Sequence, residues 1–180
     1  IFASIVIVHG DDKGLRFPFE IAPLQIAVVP VSDDSEVINK VRDIVRKIRD
    51  KSEFSADADF SEKSAGEKFN HWEMKGVPIR IDIGKKDIKE KSVTIFRIDS
   101  GKKEVIKEDL LLEYINKISR EFTKNLVNQA DKLFNDRIKQ AKDIKSIKKV
   151  IDEGGIARCS FCLSIFVLCA ASYYIYLIIF

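Results

Sequence analysis

Apolar residues in the first third of the chain follow two patterns, continuous runs and runs at helical spacing. Residues 25–31 are a continuous β-branched stretch, which predicts a strand buried on both faces of a sheet. Residues 36–51 carry apolar side chains every three or four positions, which predicts an amphipathic helix capped by the serines and aspartates of residues 32–35. Residues 54–59 alternate weakly and predict a second strand.

The chain begins with an apolar stretch, residues 1–8, that ends at His9 and Gly10. Glycine commonly ends a helix because it tolerates the left-handed backbone conformation, so this stretch predicts a short helix. A short strand is the alternative. Pro18 and Pro23 then indicate an extended connector, since proline restricts the preceding residue to extended conformations.

The middle of the chain predicts a helix that leads directly into a strand. Residues 64–75 have the pattern of a helix, which Gly76 ends. Residues 79–83 alternate strictly between apolar and charged side chains. This alternation predicts a strand with one face in a core and with Arg80 and Asp82 turned toward solvent or a ligand.

Two more strands and a long helical region complete the pattern. Residues 92–98 and 104–106 predict strands joined by a hairpin-like turn. From about Asp109, apolar residues recur at three or four positions as far as Ala130, and a weaker helical pattern continues to about Asp152. The order predicts an α/β fold with a mixed β-sheet flanked by helices, followed by a helical C-terminal extension.

Charge changes this picture locally rather than globally. The net charge of the 180 residues is only +3. Residues 68–103, however, contain ten Lys and Arg against five Asp and Glu, a local excess of five. A concentrated positive charge suits a polyanion, because phosphates attract Lys and Arg and release counterions on binding. On charge alone, a solvated lysine-rich surface is the alternative.

The C-terminal region differs from the rest in its cysteines and its lack of charge. Cys159, Cys162 and Cys169 provide three ligands of a possible Zn²⁺ site, whereas a closed structural site needs four. Residues 159–180 contain no charged residue, so by length they are also a candidate membrane span. The chain carries no N-terminal signal peptide and its single Met is Met74, so we expect a fragment of a longer protein.

Three blocks of the sequence resemble one enzyme family. They are HGDDKGL at 9–15, IAPLQIAVVPV at 21–31 and KFNHWEMKGVPIRIDIGKKDI at 68–88. Together they resemble the C-terminal half of the prolyl-tRNA synthetases, class II enzymes, in their archaeal and eukaryote-like form. The resemblance covers roughly residues 1–155. The third block is the most specific, since ends of related class II synthetases are similar to the first two.

The resemblance implies a division of the chain into four segments. They are the end of catalytic motif 3 with a linker (1–19), an anticodon-binding domain (20–107), the helical start of a C-terminal extension (108–155), and a Cys-containing segment, uncharged from Cys159 on, that is either a truncated zinc module or a non-native continuation (156–180). The family attaches proline to tRNA(Pro) with ATP and Mg²⁺. The resemblance implies that those sites and the catalytic motifs lie outside this chain, so we expect the fragment to be inactive alone. It also implies a cytoplasmic homodimer.

The same resemblance implies a set of base-reading residues in the third block. Glu73 and Asp87 would be carboxylates facing guanine donors, and Arg80 and Lys86 would face guanine acceptors. Lys102, in the following turn, would close over the same bases or the adjacent backbone. A network of surface ion pairs is the alternative for these charges.

Aromatic side chains and two other functions complete the expectations. Phe69 and Trp72 lie three residues apart on one helix face and are expected to pack on the sheet, with base stacking as the alternative. A membrane-anchored α/β interaction domain, held by residues 159–180, is one alternative function. The corresponding domain of a threonyl-, histidyl- or glycyl-tRNA synthetase is the other.

Overall fold

The computed structural model of the chain describes residues 2–11 and 14–160. The chain divides into two compact units, Ile1–Ala130 and a second that begins at Asp131. The four-segment division implied by the resemblance stays a prediction.

The first unit contains most of the secondary structure. Its helices are α1 (Phe2–His9), α2 (Ser35–Lys51), α3 (Ala65–Met74), α4 (Lys85–Glu90) and the greater part of α5 (Leu111–Arg137). Its strands are β1 (Gly10–Asp11), β2 (Gly14–Leu15), β3 (Ile26–Pro30), β4 (Ala56–Ala58), β5 (Ile79–Ile83), β6 (Ser92–Arg97) and β7 (Lys102–Lys107). Short 3₁₀ helices occupy Phe19–Ile21 and Glu108–Leu110. The apolar start of the chain is therefore helical, and its alternative as a strand is wrong.

Five of these strands form one mixed sheet in the order β4-β3-β5-β6-β7. Strand β3 runs parallel to β4 and β5, whereas β6 is antiparallel to both of its neighbours. The predicted fold class, a mixed sheet flanked by helices, is confirmed.

The register of the strands assigns their side chains to two faces. Ala27, Arg80, Phe96 and Lys103 lie opposite one another in turn across β3, β5, β6 and β7, and we call their side the α3 face. Ile26, Ile79, Arg97 and Lys102 form the next row, on the other side, which we call the α5 face. Each strand alternates between these two faces because side chains in a strand point alternately up and down.

The hydrophobic core lies on the α5 face, between the sheet and helices α2 and α5. Strand isoleucines such as Ile81 and Ile95 pack there against one stripe of each helix, and all are completely buried. The helical stripes are Val37, Val41, Ile44 and Ile48 of α2 and Leu111, Ile115, Ile118, Phe122 and Leu126 of α5. Burying each large side chain contributes roughly 1.5–3 kcal/mol, so these stripes account for where both helices dock.

Helix α3 begins and ends as the sequence predicts. The hydroxyl of Ser64 accepts from the backbone N–H of Glu67, and the Glu67 carboxylate accepts from the backbone N–H of Ser64 at 2.9 Å, which is a capping box. At the other end, Gly76 adopts a φ of +74°, and a Cβ there would lie 2.5 Å from the carbonyl oxygen of Leu15. Only glycine fits this position, so the start of β5 is fixed relative to α3.

The prediction that β5 turns Arg80 and Asp82 toward solvent is wrong. All five residues of the strand are buried, with Arg80 exposed by 3% and Asp82 by 5%. The alternation of apolar and charged residues correctly separates the two faces, but Phe69 and Glu73 of α3 cover Arg80 on the second face. The pattern cannot reveal that cover, because it reports only positions within one strand.

The second unit, taken by itself, is small within the described residues. Strands β8 (Ile138–Gln140) and β9 (Ile156–Arg158) pair in parallel around α6 (Ile144–Asp152). Helix α6 is the weaker helix expected to reach Asp152. It starts where the carboxylate of Asp143 accepts from the backbone N–H of Ser146 at 2.8 Å.

The predictions for the end of the chain lie largely outside the described residues. Cys159 is exposed, whereas Cys162 and Cys169 are not among the described residues, so the Zn²⁺ site stays a prediction. Within residues 2–11 and 14–160, no group of three His, Cys, Asp or Glu side chains could hold a metal ion. No helix in the same residues has the length and apolar character needed to cross a membrane.

Candidate nucleic-acid interface

A buried arginine organises the α3 face. The guanidinium of Arg80 lies between two phenylalanine rings, with its Cζ 3.9 Å from the ring centre of Phe69 and 4.5 Å from that of Phe96. Helix α3 provides Phe69, and β6 provides Phe96 directly opposite Arg80 in the register. We call Phe69, Glu73, Arg80, Asp82 and Phe96 the Arg80 cluster. Stacking of this kind is favourable because the ring faces are negative and the guanidinium is weakly hydrated.

Hydrogen bonds fix the same guanidinium in its plane. Its Nε donates to Oδ1 of Asp82 at 2.8 Å and its Nη2 to Oδ2 at 3.4 Å. Its Nη1 donates to Oε1 of Glu73 at 2.5 Å and to the carbonyl of Phe69 at 3.5 Å. With both faces and most donors engaged, Arg80 would contact a base directly only if one of these partners moved. Its observed position instead fixes the carboxylate of Glu73.

The charged groups of the cluster differ in burial. The side chain of Asp82 is 7% exposed, that of Glu73 is 27% exposed, and that of the nearby Lys103 is 54% exposed. Burial raises the pKa of the Asp82 carboxyl, while hydrogen bonds and charge from Arg80 act in the opposite direction. The Arg80–Asp82 pair therefore forms the buried base of the cluster, and Glu73 and Lys103 present one charge of each sign at its surface.

Asp87 lies beside the cluster on the same side of the sheet. Its Oδ2 accepts from the backbone N–H of Gly84 at 2.9 Å, and its Oδ1 accepts from the hydroxyl of Thr94 at 3.0 Å. Thr94 is opposite Asp82 in the register, which places it on the α3 face. Asp87 thus holds the short helix α4 against β6. Lys86, the preceding residue, is exposed in the first turn of that helix.

Of the two lysines at the start of β7, the structure joins Lys103 and not Lys102 to this surface. The Nζ of Lys103 lies 4.0 Å from Oδ2 of Asp82 and 5.2 Å from the Phe69 ring centre. Lys102 pairs with Arg97, so alternation assigns its side chain to the α5 face. Base contact by Lys102 stays a prediction, and it would require this side chain to reach around from the other face of the sheet. The strand begins at Lys102 rather than at residue 104, so this lysine is not a turn residue.

Comparison with known proteins assigns the chain to a family. Residues 25–118, more than half of the chain, match the profile of the family described as "Anticodon binding domain". The chain belongs to this family. The matched residues include the whole Arg80 cluster, Asp87 and Lys103.

The relatives of this chain described below are all named proline–tRNA ligases. A proline–tRNA ligase of Methanocaldococcus jannaschii is 37% identical over 158 residues, which are 85% of this chain and 34% of the relative. A proline–tRNA ligase of Nanoarchaeum equitans is 36% identical over 164 residues, 90% of this chain and 30% of the relative. The chain thus spans about a third of the length of these relatives. The resemblance seen in the sequence is confirmed.

A solved structure agrees with the sequence matches. The prolyl-tRNA synthetase of Cryptosporidium parvum, determined in complex with L-proline and AMP, superimposes with a TM-score of 0.82 at 28% identity. The match covers 90% of this chain and 36% of that structure.

Sequence reasoning missed two residues of the surface around Arg80. Phe96 and Lys103 contact Arg80 and Asp82 respectively, and neither was a candidate. Ile95 is an apolar core residue, and Phe96 is the next residue along the same strand. Alternation would therefore have assigned Phe96 to the other face, which is that of Arg80. Trp72 is half-buried, and its indole N–H donates to Oδ2 of Asp59 at 2.8 Å.

Proposed function

We propose that this chain is the tRNA anticodon-binding part of a prolyl-tRNA synthetase and that the Arg80 cluster contacts an unpaired guanine. Membership of the anticodon-binding family and the names of the relatives support the first statement. The observation that carries the second is the fixed Glu73 carboxylate, held at the surface by a buried arginine. The whole protein would join proline to tRNA(Pro) with ATP and Mg²⁺ bound outside this chain, as a cytoplasmic homodimer.

Guanine recognition follows from the donors on one edge of the base. Its N1–H and N2–H groups need an acceptor with two oxygens, which a carboxylate provides. Arg80 engages Oε1 of Glu73. The carboxylate has further lone pairs, and it cannot rotate freely while Arg80 holds it. A carboxylate that is already fixed loses little conformational entropy when it binds a base.

The surrounding groups would serve the rest of the nucleotide. Single-stranded RNA is recognised by stacking bases on aromatic rings and by cations close to the phosphates. Phe96 is half-buried beside Glu73, Lys103 is an exposed cation on the same side of the sheet, and Lys86 is an exposed cation in the first turn of α4. Asp87 retains lone pairs beyond those used by Gly84 and Thr94. We propose Arg80 as a positioning residue rather than a base reader.

The test compares guanine with inosine, which lacks only the N2 amino group. A tRNA(Pro) anticodon stem-loop is bound to the chain, and each anticodon guanine is replaced in turn. Replacing the guanine that contacts Glu73 by inosine should weaken binding of the stem-loop to the wild-type chain by about 1–2 kcal/mol. In Glu73→Gln this difference should disappear, since an amide offers one acceptor oxygen and turns an N–H₂ group toward either Arg80 or the base.

The matched control is Glu113→Gln, which removes the same charge from an exposed position of α5. It should retain the full guanine preference. A Glu73→Gln chain that still distinguishes guanine from inosine would refute the assignment of Glu73.

A further inference from the structure

A cavity adjoins the Arg80 cluster and extends beyond it. Its volume is about 400 Å³, near the lower end of the range of roughly 300–1,000 Å³ typical of ligand sites. Glu73 and Phe96 of the cluster form part of its lining. The other lining residues are Gly14, Leu15, Arg16, Ile98, Asp99, Ser100 and Gly101. The cavity therefore lies between β2, the end of α3 and the turn that joins β6 to β7.

Close packing fixes the wall formed by β2. Gly14 has a φ of +142°, and a Cβ on it would lie 2.6 Å from the carbonyl oxygen of Glu73 and 2.7 Å from the Cα of Met74. The absence of a side chain thus lets β2 touch the end of α3. Leu15 is packed from the other side, since its carbonyl oxygen lies only 2.5 Å from where a Cβ on Gly76 would be. These contacts join backbone atoms of β2 to backbone atoms at the end of α3, so this wall cannot adjust by rotating side chains.

Side chains of the opposite wall are equally constrained. Asp99 accepts from Arg97 and from Nδ2 of Asn125 at 3.0 Å, and its own carbonyl accepts from Nε2 of Gln129 at 2.9 Å. Oε1 of Gln129 in turn accepts from Nη1 of Arg16 at 3.4 Å. One glutamine of α5 therefore connects both walls, so the cavity is present before any ligand binds.

The chemistry of the lining suits one nucleotide. Phe96 and Ile98, both half-buried, line the cavity and give an apolar surface on which a base could stack. Arg16 gives a cation for a phosphate, and Glu73 lies at the border with the cluster. Apart from Glu73 and the buried, fully bonded Asp99, the lining offers few groups that could read a base edge.

We propose that this cavity holds a second unpaired nucleotide, next to the one whose base Glu73 contacts, and holds it by stacking and charge rather than by base identity. The proposal rests on the proposed function. Leu15 and Arg16 lie outside the residues matched by the anticodon-binding family. The segment before the family domain would therefore contribute directly to RNA binding.

The experiment scans the loop of the same anticodon stem-loop with single abasic sites, at constant salt, against the full chain. In the wild type, one loop position beside the Glu73-dependent guanine should weaken binding about tenfold when abasic, while exchanging its base changes binding by only about twofold. Ser100→Glu places a negative charge on the exposed wall of the cavity and should abolish this abasic effect. Asn116→Glu, on the exposed side of α5, adds the same charge away from the cavity and should retain it.

Three outcomes would decide the matter. If Ser100→Glu and Asn116→Glu show the same abasic profile, the cavity is not a nucleotide site, and guanine–inosine discrimination remains as a separate test of the proposed function. If discrimination is absent from the wild type, the proposed function fails first. If GMP alone binds and Ser100→Glu weakens it while the stem-loop is unaffected, the cavity takes a free nucleotide, and the assignment to the RNA loop is wrong.

Discussion

Two strand arginines of this sheet, Arg80 and Arg97, form the same local pair on opposite faces. Each donates through two nitrogens to the aspartate two positions further along. The Nε–Oδ1 distance is 2.8 Å for Arg80–Asp82 and 3.1 Å for Arg97–Asp99. Both pairs are buried. The surroundings, and not the pairs themselves, make one the base of a candidate binding site and the other a structural attachment.

The partners of each pair explain this difference. Arg80 is covered by two aromatic rings and holds Glu73, which remains partly exposed beside Lys103. The second pair faces α5 instead, where Asn125 donates to Asp99 and the carboxylate of Glu121 lies 3.5 Å from Arg97. On the α3 face the buried pair leaves the charges of Glu73 and Lys103 at the surface, whereas on the α5 face polar side chains of one helix surround the pair.

The largest expected effect comes from removing the first arginine. Arg80→Met should lower the free energy of unfolding by about 3 kcal/mol, because Asp82 and Glu73 lose their cation and Asp82 stays buried. Urea unfolding followed by the fluorescence of Trp72, the single tryptophan, measures it. Adding Asp82→Leu should recover much of the loss. A double variant no more stable than Arg80→Met would show that the buried charge is not the cause.

A smaller loss of stability, without any loss of specificity, is expected on the α5 face. Asn125→Ala removes one hydrogen bond to the buried carboxylate of Asp99 and should cost about 1–2 kcal/mol. Guanine–inosine discrimination should be unchanged, because the Arg80 cluster is on the other side of the sheet. Asn128→Ala, at an exposed position of α5, controls for helix propensity. Lost discrimination in Asn125→Ala would contradict the division of roles between the two faces.

The pH dependence of stability distinguishes burial from pairing at Asp82. Since burial raises the pKa of this carboxyl above 3.8, the folded state binds its proton more tightly than the unfolded chain does. Its contribution to stability is therefore complete below the unfolded pKa and is lost as the pH rises through the folded pKa. The difference in unfolding free energy between wild type and Asp82→Asn should decrease across that acidic window. A difference that grows with pH would mean that pairing with Arg80 outweighs burial.

The smallest effect concerns the two adjacent lysines of β7. Lys103→Gln should reduce the slope of log binding constant against log salt concentration by about one, as expected for the loss of one phosphate contact. Lys102→Gln should leave the slope unchanged, because its side chain is assigned to the α5 face. Titrations of the stem-loop at several salt concentrations measure both. An unchanged slope in Lys103→Gln would mean that Lys103 does not contact a phosphate, and a reduced slope in Lys102→Gln would mean that Lys102 does.

Much of the fold could be predicted because its signals are local. The apolar run of β3, the helical stripe from Leu111 to Leu126 and the glycine after α3 each act within a few residues of chain. The third sequence block also named residues that the structure brings together, since Glu73, Arg80 and Asp87 lie on one side of the sheet. What failed were statements about exposure. Arg80 is buried by a helix that the strand pattern does not contain.

Local periodicity and the resemblance in the sequence thus determined the elements, the core and the family of this chain. The tertiary structure alone decided which side of the sheet each charged residue occupies and what covers it. The pattern predicted a turn at Lys102, whereas β7 already begins there, and only the pairing of Lys102 with Arg97 assigns its side chain to a face of the sheet. The cover of Arg80 and the cavity beside it arise from segments far apart in sequence, whose packing no local pattern encodes.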